Sequence, residues 1–272
     1  MIPVENIWLA FGLTLMAGLA TGLGSIIAFS FRKSGNFLSI SLGFSAGVMI
    51  YVSFVEILPE SLEFFSASGS DRSELLATIF FFAGVLFIMV IDFLIPEKMN
   101  PHEYPTPLDC EDETEEERDR RCRDLYSAGR FSALAVAIHN FPEGIATFMA
   151  ALVNPQLGIG IAIAIALHNI PEGVSIAVPI YYATGNIKRA SLMAFLSGLA
   201  EPIGALVGFF VLRPFLSDTM FGIVFAMVAG IMVYISIDEL LPTAEKYGEH
   251  HHAIGGVVAG MAVMALSLLL IG

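Results

Sequence analysis

Eight apolar runs, at about 7–29, 37–64, 75–95, 130–152, 156–182, 189–211, 219–242 and 254–271, take up most of this chain. Each is long enough to supply the roughly 20 apolar residues that a helix needs to cross the hydrocarbon core. The sequence therefore predicts an all-α integral membrane protein with eight transmembrane helices, forming a single transmembrane domain over 1–272. Composition agrees: 56% of residues are hydrophobic, 14% are charged and mean hydropathy is +0.76, which belongs to a membrane protein. Residues 1–6 hold no Lys or Arg and the first run is longer than a secretory h-region, so it reads as a retained helix. The net charge of -13 excludes nucleic acid as a partner, since that requires a basic surface.

Much of that charge is local. Residues 97–124 hold 11 acids and 5 bases, behind a start marked by Pro96, Pro101, Pro105 and Pro107. We expect 97–129 to be a flexible acidic cytoplasmic loop between helices 3 and 4, with a short helix from Glu111 to Arg123. Cys110 and Cys122 lie there as reduced thiols, in a spacing that fits no zinc finger. With His102 they offer a regulatory metal site as an alternative to a solvated linker.

Lys and Arg counts set the orientation, because positive charge is retained in the cytoplasm. The side shared by both termini has only Arg72 and Arg213, against 11 basic residues on the other side. Both termini are expected outside the cytoplasm, with the chain in the cell (inner) membrane.

Two internal repeats carry the functional reading. HNFPEG at 139–144 and HNIPEG at 168–173 lie in helices 4 and 5, and AGVMIYVSFVEILP at 46–59 aligns without gaps on AGIMVYISIDELLP at 229–242, in helices 2 and 7. Both pairs are an odd number of helices apart, so their members cross the membrane in opposite directions. That is the mark of inverted-topology repeats, which in transporters hold substrate at the repeat interface. Pairing helix 1 with 6, 2 with 7, 3 with 8 and 4 with 5 satisfies both repeats.

On a helix, His139, Asn140 and Glu143 share one face, as do His168, Asn169 and Glu172. Pro142 and Pro171 free the carbonyls of Ile138 and Leu167 and should kink each helix. A carboxylate buried in the bilayer costs several kcal/mol unless compensated, and two facing each other repel. A divalent cation between them removes both problems. Two His and two Glu suit a first-row transition ion such as Zn²⁺, Fe²⁺ or Mn²⁺ better than Mg²⁺ or Ca²⁺. The bland alternative is that these groups hydrogen-bond one another and the prolines only bend helices; a proton relay is another.

Glu201, ahead of Pro202 in helix 6, offers a further carboxylate for a second metal position. Met49, Ser53 and Glu56 open a polar stripe on helix 2 that continues to Glu60 and Glu63, and Met232, Ser236 and Glu239, beside Asp238, repeat its inner part on helix 7. Glu56 would then lie on an outer approach, and Asp238 and Glu239 on an inner exit. Each also has a plainer reading as packing or interface. The same applies to Asp92 and to His250, His251 and His252. Small residues such as Gly18, Gly22, Gly24, Gly198, Gly204 and Gly208 allow close helix approach.

The two hexamers and the glutamate of GLAEP resemble the ZIP (Zrt/Irt-like) family of divalent-metal transporters, and the whole chain resembles its bacterial ZupT-like branch. The resemblance implies a 3+2+3 helix bundle, and uptake into the cytoplasm of Zn²⁺ and related ions (Fe²⁺, Mn²⁺, Co²⁺, Cd²⁺) by a homodimer in the lipid bilayer. It implies His139, Glu143, His168 and Glu172 as a primary metal site. Asn140, Asn169 and Glu201, with the two glutamates as bridges, would form an adjacent second site. Met49 and Glu56 match an approach, and Asp238 and Glu239 an exit. Some relatives have Gln where His168 stands, and the acidic loop replaces the His-rich loop of many eukaryotic members. No catalytic residue is implied. The alternative function is an intramembrane metal-dependent hydrolase; against it, the i+4 partner of each His is Glu and its neighbour is Asn, where a zincin-type protease has a second His and a Glu.

Overall fold

The computed structural model describes residues 6–31, 35–94, 115–212 and 217–271. Among these there is no strand, and eight helices are long and apolar enough to cross a membrane: α1 (Ile7–Phe29), α2 (Asn36–Ala67), α3 (Ser73–Leu94), α4 (Leu125–Val153), α5 (Pro155–Thr184), α6 (Ile187–Val211), α7 (Asp218–Tyr247) and α8 (His250–Leu270). These match the eight expected runs to within a few residues at each end.

Local chemistry sets the short connections. Asn154 alone joins α4 to α5: its side chain accepts from the backbone N–H of Gln156 and Leu157, capping α5 just before Pro155. α5 then ends at Gly185, whose φ of 63° suits a left-handed cap. Asn186 caps α6 through Arg189 N–H, and Ser217 caps α7 through Met220 N–H. A one-residue connection forces α4 and α5 into an antiparallel hairpin.

That hairpin is the centre of the bundle. In their most apolar windows α4 and α5 are 67% and 72% buried, whereas α3 and α8 are 22% each and lie outermost. α1 packs on α5 and α6, α4 on α5 and α6, α2 on α8, and α3 on α7. Swapping 1 with 6, 2 with 7, 3 with 8 and 4 with 5 leaves this pattern unchanged, as inverted repeats require. The outer faces are apolar: Phe82, Leu86 and Phe93 of α3 and Leu266 and Leu269 of α8 are exposed, as suits contact with lipid.

The repeats extend to the backbone. α2 is interrupted by a π turn at Ser53–Ile57 and α7 by one at Ser236–Leu240, each followed by a proline, Pro59 and Pro242. Ser53 and Ser236 are 183 apart, the same offset as the sequence repeat. Their hydroxyls donate to the carbonyls of Met49 and Met232, at 2.6 and 2.7 Å. π turns are rare and concentrate at functional sites.

α4 and α5 run as continuous helix through Pro142 and Pro171; α6 is interrupted at Leu199, between Ile187–Gly198 and Ala200–Val207, where Pro202 withholds a donor from the Gly198 carbonyl. One local expectation meets a different outcome. The described part of the expected 111–123 helix is the start of one long helix, Glu115–Val153, that continues into α4. His102, Cys110 and the rest of 95–114 lie outside the described residues.

Candidate metal site

The two hexamers meet at the α4–α5 crossing and pair crosswise. His139 Nε2 of α4 is 3.1 Å from Glu172 Oε1 of α5, and His168 Nε2 of α5 is 3.4 Å from Glu143 Oε2 of α4. Each histidine thus contacts the glutamate of the other repeat, as a two-fold axis between the helices demands. All four side chains are essentially inaccessible. Ser45 of α2 donates to the His168 carbonyl at 3.1 Å and ties α2 to this level.

One residue on, the symmetry gives way. Asn169 donates through Nδ2 to the Ala17 carbonyl of α1, at 2.9 Å, and to Glu201 Oε1 of α6, so one amide bridges three helices. Asn140, its counterpart, has no hydrogen-bond partner on either side-chain atom. Glu143 Oε1, Glu172 Oε2, Glu201 Oε2 and Asn169 Oδ1 are likewise buried without one. Leaving each such group unmade costs about 1–3 kcal/mol, and more for a charge. Mutual hydrogen bonding therefore satisfies one ring nitrogen of each histidine and one oxygen of each glutamate, and leaves the Nδ1 of His168 without a partner. The leftover atoms are oxygens, the Asn140 amide nitrogen and the His168 ring Nδ1, with no Lys or Arg among the described buried side chains.

Among the described residues no three His, Cys, Asp or Glu side chains are gathered into a ready-made coordination sphere. The physical reason is in the pairing: each Nε2 that would face an ion is turned to a carboxylate. Met49 is fully buried in the apolar core, and Ser53 spends its proton on the Met49 carbonyl. Glu56 is partly buried in the π turn of α2, at the position equivalent to Glu239 of α7, again 183 apart.

A narrow cavity of about 40 Å³ reaches His139 between α3, α4 and α7. Its polar lining is Asp92, His139, Tyr234, Asp238 and Glu239. The Tyr234 hydroxyl lies within hydrogen-bonding reach of both Asp238 and Asp92. His250, by contrast, pairs with Glu245 at 2.6 Å on the surface.

The model of the family described as ZIP Zinc transporter matches residues 5–92 and 96–268. The chain belongs to the ZIP family. It is similar to "Zinc transporter ZupT" of Chlorobium chlorochromatii, 56% identical over 98% of both chains, and to proteins of the same name from Nitratidesulfovibrio vulgaris, 56% over 99% of both, and Clostridium perfringens, 53% over 98% of this chain and 97% of the relative. Like other ZIP proteins it is a multi-pass membrane transporter of divalent metal and not an enzyme.

In this ZIP chain the first helix pair, α1 with α6, also repeats, a signal in the sequence that the hexamers overshadow. GLATGLG at 18–24 aligns on GLAEPIG at 198–204, an offset of 180. The contacts obey it: Gly24 lies against the Ile170 carbonyl and Gly204 against that of Phe141, while Gly173 lies against the Thr21 carbonyl and Gly144 against that of Glu201. Thr21 is therefore the counterpart of Glu201, and its buried hydroxyl has no partner. Ser45 and Thr21 are polar residues beside the site that motif reading passed over, because neither belongs to the hexamers or to the repeat of helices 2 and 7, whereas Asp92, whose plainer reading is an interface charge, and Tyr234 of the helix-7 repeat line the cavity beside His139.

Proposed function

We propose that this chain imports Zn²⁺ into the cytoplasm, with Fe²⁺, Mn²⁺, Co²⁺ and Cd²⁺ as related substrates, through a binuclear site between α2, α4, α5 and α6. The observation that supports this most is the crossed His–Glu pairing that leaves one oxygen of each glutamate buried and unpartnered. His139, Glu143, His168 and Glu172 would hold the first ion. Asn140, Asn169 and Glu201 would hold a second, with Glu143 and Glu172 bridging. The curated relatives are named zinc transporters, which agrees with the choice of ion. Imidazole and carboxylate together suit zinc chemistry.

Met49, Ser53 and Glu56 would lead in from the outside, and Asp238 and Glu239 out to the cytoplasm, with both termini outside the inner membrane and two copies forming a homodimer. Release proceeds into the acidic cavity beside His139. The acidic segment at 97–129 would lie on the cytoplasmic side, its part from Glu115 onward forming the start of the helix that continues into α4. Transport would follow an elevator-like movement of α4 and α5, with α1, against the remaining helices. A channel is disfavoured, because a two-His, two-Glu site holds an ion too tightly for fast throughput.

Reconstituted protein with a zinc-sensitive dye inside the vesicles tests this: uptake should saturate with external zinc and be competed by Cd²⁺. Flux that rises linearly without saturation would show a pore instead. Replacing Asp238 by Asn together with Glu239 by Gln should slow uptake by roughly ten-fold, the scale of an electrostatic funnel, while zinc binding at equilibrium stays near wild type. Loss of binding in that double variant would place these residues in the site itself.

A further inference from the structure

α4 borders two cavities whose rims differ in sign. The one facing α3 and α7 is acidic. The other, about 330 Å³, is a groove between α4 and α6 lined by Phe131, Leu134, Ala137, Met193 and Leu196, with Arg130 also on its wall. Leu134 and Leu196 are 49% and 52% exposed, so the groove is open to its surroundings along an apolar face. In a membrane that face meets acyl chains.

A second basic group shares an aromatic neighbour with Arg130. The guanidinium carbons of Arg130 and Arg189 lie 5.8 and 4.6 Å from the centroid of the one Tyr126 ring. Both arginines are exposed, and neither forms an ion pair with a described carboxylate. Two guanidinium charges repel a divalent cation, so this groove is no branch of the metal path. They suit an anionic phosphate, which planar guanidinium binds through paired hydrogen bonds. From Arg130 to Ala137 the trough runs about 10 Å along the helix at 1.5 Å per residue, enough to seat the upper part of an acyl chain.

We propose that the α4–α6 groove binds one anionic phospholipid, its phosphate held by Arg130 and Arg189 and an acyl chain lying against Leu134, Ala137 and Leu196. By the Lys and Arg distribution this rim faces the cytoplasm, where anionic lipid attracts basic groups at the helix ends. The site takes no residue from the metal site, so it stands or falls separately from the transport reading.

The experiment is native mass spectrometry of the full chain in neutral detergent, titrated with phosphatidylglycerol or with phosphatidylcholine of the same chains. One phosphatidylglycerol should be retained in preference, and Arg130→Gln and Arg189→Gln should each weaken it by roughly five-fold. Ala137→Leu should also weaken it, by filling the trough with the charges intact. Arg72→Gln, at the opposite end of the bundle, should not. Should Ala137→Leu elute or melt abnormally, the arginine variants decide alone. Equal retention of both lipids, retention unaltered in the double arginine variant, or the same loss from Arg72→Gln would overturn the proposal. So would displacement by glycerophosphoglycerol at the concentration where the lipid itself binds, since the groove would then contribute nothing.

Discussion

Glu143→Gln and Glu172→Gln should each reduce saturable zinc uptake in proteoliposomes by about a hundred-fold while the protein stays folded. Glutamine keeps the shape of the side chain and can still hydrogen-bond to the opposite histidine, so the crossed pairs His139–Glu172 and His168–Glu143 survive in outline. What disappears is a negative charge in a site with no exposure to water. Removing one partner of a buried charge pair costs on the order of 3 kcal/mol, which is about a hundred-fold in affinity. The two-fold relation adds a stricter expectation: the two variants should resemble each other. Alanine in place of either glutamate should be as damaging. Normal uptake in both variants would sink the assignment of the site.

The largest effect on stability is expected from a single methyl group. A Cβ added at Gly24 or Gly204 would overlap the carbonyl of Ile170 or Phe141, and both neighbours are backbone that cannot rotate away. Helix pairs α1–α5 and α4–α6 would have to separate. Overpacking of this kind costs about 3 kcal/mol at the upper end of its usual range. In a thermal melt Gly24→Ala and Gly204→Ala should each unfold roughly 5–10 °C lower. Gly12 and Gly160 supply the control, since nothing lies within 4 Å of a Cβ at either; alanine there should leave the melt unchanged or raise it slightly. Equal tolerance at all four positions would mean that the close approach does not hold the helices together.

The helices were legible because lipid imposes a strict length and polarity on anything that crosses it. Their pairing was legible from two repeats, and the structure carries the symmetry to α1 with α6 and α3 with α8, where the sequence similarity has shrunk to a few small residues. Gly84 and Gly260 keep that last relation, lying against the carbonyls of Met227 and Phe44. The meeting of His139, Glu143, His168 and Glu172 could be expected from paired motifs. The crosswise partners could not, since helical spacing says which residues share a face and nothing about which faces touch. Pro142, Pro171 and Pro202 look alike in the sequence, yet of the three only Pro202 stands at an interruption of its helix. The helix ends at α4–α5 and α6 were plain once Asn154, Gly185 and Asn186 are read as caps.

Every described glycine that meets another helix meets one from the opposite half of the chain. Residues of α1 through α4 touch only α5 through α8 in this way: Gly18 against Gly198, Gly43 against Ala253, Gly84 against Met227, Gly144 against Glu201. The tightest joints are thus all between halves and none within one. During synthesis the first four helices enter the membrane before any of these joints has a partner, so packing is completed only when the second half arrives.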